Sequence, residues 1–199
     1  MMTIQINQDD IAKVKRMMDG VKDGAARVMM RSINKTLTGV KTDASTEVRA
    51  VITAKKSAVD ATFKTTSATL TQMSGRFEST QKAMPLIDFS TSQTQKGVSV
   101  QVRKDRPRKV IPGAFQQTMK SGHKGVFWRE YKGEKPAVKK KIAYGALPKR
   151  YRLPIKQLYG PRVPEILGND AVMAPVLAKA GDRLKTNIEH ELNYELSKL

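Results

Sequence analysis

Cysteine is absent from the 199-residue chain, which removes disulfides, thiol nucleophiles and thiolate metal sites together. That usage fits folding in a reducing cytoplasm, with any stability outside a cell supplied by packing or oligomerisation. Aromatics make up only 6% of the residues, so the core must rest on Val, Ile, Leu, Met and Ala, much of it on helix faces. No apolar run approaches the ~20 residues that a membrane span needs. Met1 to Asp10 also lacks a charged-then-apolar signal pattern, so no membrane association is expected. Acid is scarce: 18 Asp and Glu stand against 37 Lys and Arg, a net charge of +19. Self-repulsion of that size must be offset by a bound anion or an assembled neighbour.

Catalytic and cofactor patterns are missing as well. His123 lies in a Gly-flanked basic turn, and His190 sits between Glu189 and Glu191 on a helical stretch. Adjacent helical residues point about a hundred degrees apart, so that trio does not converge on a metal. No Ser has Gly-x-Ser-x-Gly context, and no Gly-rich loop ends in Gly-Lys-Ser or Gly-Lys-Thr. Asp9 and Asp10 are explained by a helix start. Zinc-finger spacing, an RNA-binding aromatic signature and a basic-zipper heptad are absent, which leaves backbone-directed contact as the mode for any DNA partner. The expectation is a binding protein without enzymatic activity, metal or cofactor.

The hydrophobic periods predict an α+β fold. Asn7 offers an N-cap, and Val14, Met18, Val21, Ala25, Val28 and Ile33 hold a three-four spacing that predicts one helix from Ile11 to about Leu37, weakened at Gly20 and Gly24. Thr38-Gly39 marks a break, and a second amphipathic segment carries Val40, Ala44, Val48, Val51 and Ile52. Residues 1–63 therefore read as helical behind a short strand at Met2 to Ile6. Residues 64–163 read as strands and turns with basic loops, and 164–199 as a long final helix whose far face is marked by Glu189, Glu191 and Glu195. Together they are expected to form one domain, with the helices packed on a mostly antiparallel sheet. Within the middle, Gly97 to Arg103 alternates Val at every second position. Gly113–Met119 and Gly125–Tyr131 should form a hairpin, Met84–Phe89 and Tyr151–Leu158 are further strand candidates, and Lys135–Lys149 reads as a loop.

Two basic clusters dominate that middle: Arg103, Lys104, Arg106, Arg108 and Lys109, then Lys139, Lys140, Lys141, Lys149, Arg150 and Arg152. Clusters this dense neutralise phosphate or acidic side chains, and the sequence leaves DNA and an acidic protein neighbour both open. Tyr144, Tyr151 and Trp128 could add base stacking.

Four pieces between Val110 and Leu167 occur in a suggestive order: Pro112-Gly113-Ala114-Phe115, then Gly125-Val126-Phe127 with Arg129, then a basic Leu-Pro-Ile segment, then Gly160-Pro161 with Val163-Pro164 ahead of the last helix. In that order they resemble the minor tail protein Z family, the tail completion proteins of long-tailed phages and prophages. The resemblance implies a virion structural and assembly protein at the head-proximal end of the tail, made and assembled in the bacterial host cytoplasm. It implies neighbouring tail and neck proteins as partners, a homo-oligomeric ring in the particle, and contact with the genome end. The alternative is a nonspecific nucleic-acid-binding protein acting through its basic loops.

Overall fold

Two long helices, α2 (Gly24–Val51) and α5 (Asp170–Leu196), carry most of the core of the helical part of the molecule. A computed structural model describes residues 2–4, 7–19, 23–129 and 155–198. They form two compact units, one of Met1–Ala50, Lys56–Lys82 and Arg162–Leu199, the other of Val51–Lys55 and Ala83–Pro161. The fold is α+β, and the registered strand pairs are all antiparallel.

In the first unit, α2 buries Val28, Met29, Ile33, Leu37, Val40, Ala44 and Val48 at three-four spacing. The predicted helix from Ile11 to Leu37 is instead two. α1 (Gln8–Met17) ends in a turn, Asp23 stands at φ 57°, and α2 begins at Gly24. Asp tolerates this left-handed backbone, which a continuing helix cannot accommodate. Asn7 occupies the N-cap of α1, although its side chain makes no capping bond.

The predicted break at Thr38-Gly39 does not occur. The Thr38 hydroxyl donates to the Asn34 carbonyl at 3.2 Å, and the missing Cβ of Gly39 leaves room for the Arg183 side chain. A short helix, α3 (Lys56–Asp60), leads into the small sheet of this unit, which has the order β1 (Met2–Ile4), β3 (Gly75–Ser79), β2 (Phe63–Thr66), and Gly75 lets Ile33 and Leu37 approach its backbone.

A second correction concerns α5. Glu191 and Glu195 do not face outward; they are 3% and 5% exposed, while Glu189 is exposed. Cations of α2 explain their burial. Arg31 bonds Glu195, Lys35 bonds Glu191, Arg183 bonds Asp43 at 2.6 Å, and Lys179 bonds Glu47 at 2.9 Å. The residue numbers in each of these four pairs sum to 226, so one antiparallel register satisfies all of them.

Each helix carries cations in its N-terminal half of the seam and anions in its C-terminal half, so a parallel arrangement sets like charges together, and a shift by one turn leaves either Lys35 and Glu47 or Arg31 and Asp43 opposite neutral residues. Asn187 adds a bond from Nδ2 to the Thr36 hydroxyl at 2.9 Å. At the far end, the Lys198 ammonium donates to Glu195 at 3.2 Å and lies 3.9 Å from the centre of the Tyr194 ring.

That hydrogen bond, with the charges of Lys198, Arg31 and Arg27, holds the Glu195 carboxyl below its ordinary value against the opposing effect of desolvation. A depressed folded value means that the unfolded chain binds more protons as the medium acidifies. The contribution is therefore fully present above the ordinary carboxylate range and is lost as pH falls through the folded value. Lys198→Gln is expected to be measurably less stable than the parent at pH 7 in urea melts, with the gap narrowing at pH 3. A gap that stays constant across that range would contradict the assignment.

The second unit opens on β4 (Ala83–Pro85) and closes on β11 (Tyr159–Arg162), and these two strands pair with each other. A 3₁₀ turn at Leu86–Asp88 replaces the second half of the strand expected over Met84–Phe89. Pro85 lacks the N–H that a continued ladder needs, and Leu86 instead donates its N–H to the Leu158 carbonyl at 3.0 Å. Two three-stranded sheets follow: β5 (Ser90–Thr94), β6 (Gly97–Gln101) and β7 (Lys109–Pro112); then β8 (Phe115–Thr118), β9 (Lys124–Arg129) and β10 (Ile155–Gln157). The hairpin expected between β8 and β9 is present, closed by Met119 N–H to the His123 carbonyl at 2.8 Å. Strand β7 had no counterpart in the sequence reading, because its alternation is confined to four residues beside a basic turn.

Residues 51–55 tie this unit together. Thr53 donates its N–H to the Val102 carbonyl at 3.0 Å and its hydroxyl to the Gln101 carbonyl, and the hydroxyl accepts the Ser90 N–H at 3.3 Å. Lys104 N–H reaches the Val51 carbonyl at 2.9 Å, and Lys55 N–H reaches that of Asp88 at 2.9 Å. Thr53→Val keeps the shape but leaves the Ser90 N–H unpaired, at a cost of about 1–3 kcal/mol. The loss should be read from urea unfolding followed by fluorescence of Trp128, the chain's one tryptophan, which lies in β9. An unchanged midpoint would show that Thr53 is not a tie.

Candidate functional site

The first basic cluster emerges at the end of β6 and returns on β7. Val98 and Val100 are buried on one face of β6, which sends Ser99 and Gln101 to the other. The register pairs Ser90 with Gln101, Ser92 with Ser99, and Ser99 with Val110, so the outer face is composed of serine, glutamine and one half-exposed valine.

Arg108 lies across this face. Its Nη1 donates to the Ser90 hydroxyl at 2.8 Å, Nη2 to the Ser90 carbonyl at 3.1 Å, and Nε to the Ser99 hydroxyl at 3.4 Å. All three partners are neutral, so the guanidinium is held in place while its charge is left uncompensated. Gln101 Nε2 donates to the Arg106 carbonyl at 3.0 Å and fixes the loop against the same face.

Lys104, Arg106 and Lys109 are exposed, and the charge of Arg106 acts with that of Arg103 on the Asp105 carboxylate. Strand alternation places Lys109 on the side opposite Arg108. Arg103 is the exception in the cluster. Its Nε bonds Asp105 at 3.1 Å, and this hydrogen bond holds the Asp105 carboxyl below its ordinary value. Within the cluster Arg103 is neutralised by Asp105, and Lys109 lies on the side opposite Arg108. The second cluster, Lys139, Lys140, Lys141, Lys149, Arg150 and Arg152, lies outside the described residues, as do the Lys135–Lys149 loop and the first part of the Tyr151–Leu158 strand.

Charge is divided between the two units. The segments Val51–Lys55 and Ala83–Pro161 contain 19 Lys and Arg against four acids, Asp88, Asp105, Glu130 and Glu134: a net +15 of the chain's +19. The remaining segments hold 18 cations against 14 anions, a net +4, and many of these close the α2–α5 seam.

The described residues that carried the resemblance have structural work, those up to Pro161 in the same unit and Pro164 in the other. Pro112 ends β7, and Gly113, at φ 74°, turns the chain toward β8. Ala114 is buried, and the Phe115 ring lies 6.1 Å from that of Phe127 across the β8–β9 pair. The Arg129 guanidinium stands 5.0 Å from the Phe115 ring centre. Gly125 leaves room for the Phe127 ring, and Gly160 for the ring of buried Phe89. Pro161 lies in β11; Pro164 lies in the first turn of α4 (Val163–Leu167), where a missing N–H costs nothing.

His123 meets Gln157 at 3.1 Å and the edge of Phe127, with no acid–base partner among the described residues. Among the described residues the groove is lined by Phe115, Gln117, Thr118, Met119, Lys120, Arg129 and Ile155, none of them a carboxylate. Among the described residues no group of three or more His, Asp or Glu side chains converges as a metal site, and no helix is long and apolar enough to cross a membrane. Sequence reasoning did not anticipate the roles of Ser90, Ser99 and Gln101. The available signal is the Ser-Val alternation of β6, which sets Ser99 and Gln101 on the face opposite Val98 and Val100.

No family model matches the chain, and no curated protein and no solved structure matches it.

Proposed function

We propose that this chain is a phage virion structural and assembly protein that completes the head-proximal end of the tail and supports head–tail joining, acting by binding and not by catalysis. The observation that carries the binding half of the reading is the charge division, +15 in one compact unit and +4 in the other. A unit that retains so much uncompensated charge is built to meet an anionic partner, while the balanced unit supplies the scaffold. The tail half rests on the four motif pieces in register, of which Phe115, Gly125, Phe127 and Arg129 support one another on β8 and β9 of the basic unit. Its partners are the neighbouring tail and neck proteins and further copies of itself in a ring, assembled in the bacterial host cytoplasm.

The test is location. Gold-labelled antibody on purified particles should mark the head–tail junction. Absence of the protein from both intact particles and free tails, with the protein present in the cells, would overturn the tail reading. It would favour the second reading, a nonspecific nucleic-acid-binding protein, for which the exposed Lys104 and Arg106 speak.

A further inference from the structure

We infer that the outer face of β5–β6–β7 binds a nucleic-acid phosphate backbone, with Arg108 as its fixed centre and Lys104 and Arg106 as flanking charges. The inference rests on the reading of the basic unit as the one that meets an anion, and it names that anion. Two partners satisfy the charge, and the chemistry of the face chooses between them.

An acidic protein seated here would need a desolvated apolar or aromatic anchor at the centre of the contact. The face offers only Val110 at its margin, 47% exposed. Around Arg108 stand the hydroxyls of Ser90 and Ser99 and the amide of Gln101. Arginine and lysine supplemented by short neutral donors are the composition that contacts phosphate oxygens without reading bases. The Arg108 side chain is held in advance by three bonds to neutral groups, so little of its freedom remains to be lost when a phosphate arrives. Among the described residues the Asp105 carboxylate bonds Arg103, and the hydrogen bonds of Arg108 go to Ser90 and Ser99.

The experiment uses the full chain with two fluorescent probes, a short mixed-sequence DNA duplex and a poly-glutamate peptide of similar charge, across about 50 to 200 mM salt. The parent should bind the duplex more tightly than the peptide. The triple variant Lys104→Gln, Arg106→Gln, Arg108→Gln should lose at least about tenfold in duplex affinity at low salt and flatten the log–log salt slope by about 3, close to one per phosphate contact removed. A control triple in the balanced unit, Lys13→Gln, Lys15→Gln, Arg16→Gln, removes the same charge and should change the slope little. Arg108→Lys keeps the charge but gives up the planar fork, and should fall between parent and triple.

Equal losses in the two triples would overturn the assignment to this face. Peptide binding as tight as duplex binding, with the same sensitivity to the triple, would overturn nucleic acid as the partner while sparing the basic-unit reading. Binding to neither probe would remove the anionic-partner reading itself. Unchanged near-ultraviolet circular dichroism of each variant confirms that loss of binding is not loss of fold.

Discussion

Lys35→Glu should lower the melting transition of the helical unit by about 10 °C, and adding Glu191→Lys should recover most of the loss. The pair joins a half-exposed ammonium on α2 to a carboxylate 3% exposed on α5. An exposed ion pair is worth about 0–1 kcal/mol, and its reversal would scarcely register. Glu191 is instead shut off from water, so removing its cation leaves a buried charge uncompensated, an effect of about 3–5 kcal/mol when both partners are buried. The half-exposure of Lys35, and Arg31 standing 3.8 Å from the same carboxylate, put the expected cost at the lower end, about 3 kcal/mol.

For a chain of this length each kcal/mol moves the midpoint by about 2–4 °C. Circular dichroism at the helix band is the appropriate probe, because α2 and α5 supply most of the helix. The swapped double variant restores opposite charges across the same register. If the double variant were no better than the single, charge order would not be what selects that register, and apolar packing alone would have to account for it.

The seam also shows where sequence reading stops. The apolar stripe of α2 was legible because burial of Val40, Ala44 and Val48 follows directly from their spacing. The role of Glu191 and Glu195 was not, because a carboxylate on a helix is ordinarily a solvated face, and only the partner helix turns it inward. The same holds for the cations Arg31 and Lys35, whose spacing on α2 names no partner until α5 is laid beside them. Gly39 was misread for a related reason: its lack of a side chain is used by Arg183, more than a hundred residues away, and not by a local turn.

In the basic unit the β6 strand and the β8–β9 hairpin were legible from alternation and turn residues. Strand β7 was not, since Lys109-Val110-Ile111-Pro112 is ordered by its pairing with β6 and carries too little pattern of its own. The clustering of Lys104, Arg106 and Arg108 was visible in the sequence. What could not be seen was that Arg108 is fixed by serines brought from β5 and β6, while Arg103 is neutralised by Asp105 two residues away.

That dependence on β6 makes Gly97→Ala the most damaging small substitution expected in the basic unit. Gly97 stands at φ 153°, where an L side chain is strained, and an added Cβ would collide with the Ile111 carbonyl oxygen and lie 2.9 Å from its carbon. Both atoms are backbone of β7, paired across from Gly97 at Pro112, so no rotamer change can relieve the clash. Backbone strain and overpacking each cost about 1–3 kcal/mol, and here they act together, so a loss of about 3 kcal/mol or more is expected.

Gly113→Ala separates the two contributions. Its φ of 74° is also left-handed, but nothing lies within 4 Å of the new methyl, so it should cost only the conformational penalty, about 1–2 kcal/mol. Trp128 fluorescence in urea reports this unit, while helix-band dichroism should leave the helical unit unchanged in both variants. Prying β7 from β6 also takes Arg108 away from Ser99, so Gly97→Ala should lose the salt-sensitive part of duplex binding along with the fold of the sheet. A Gly97→Ala protein with the parent's urea midpoint would mean that β6 and β7 do not approach as closely as the Gly97–Ile111 contact requires.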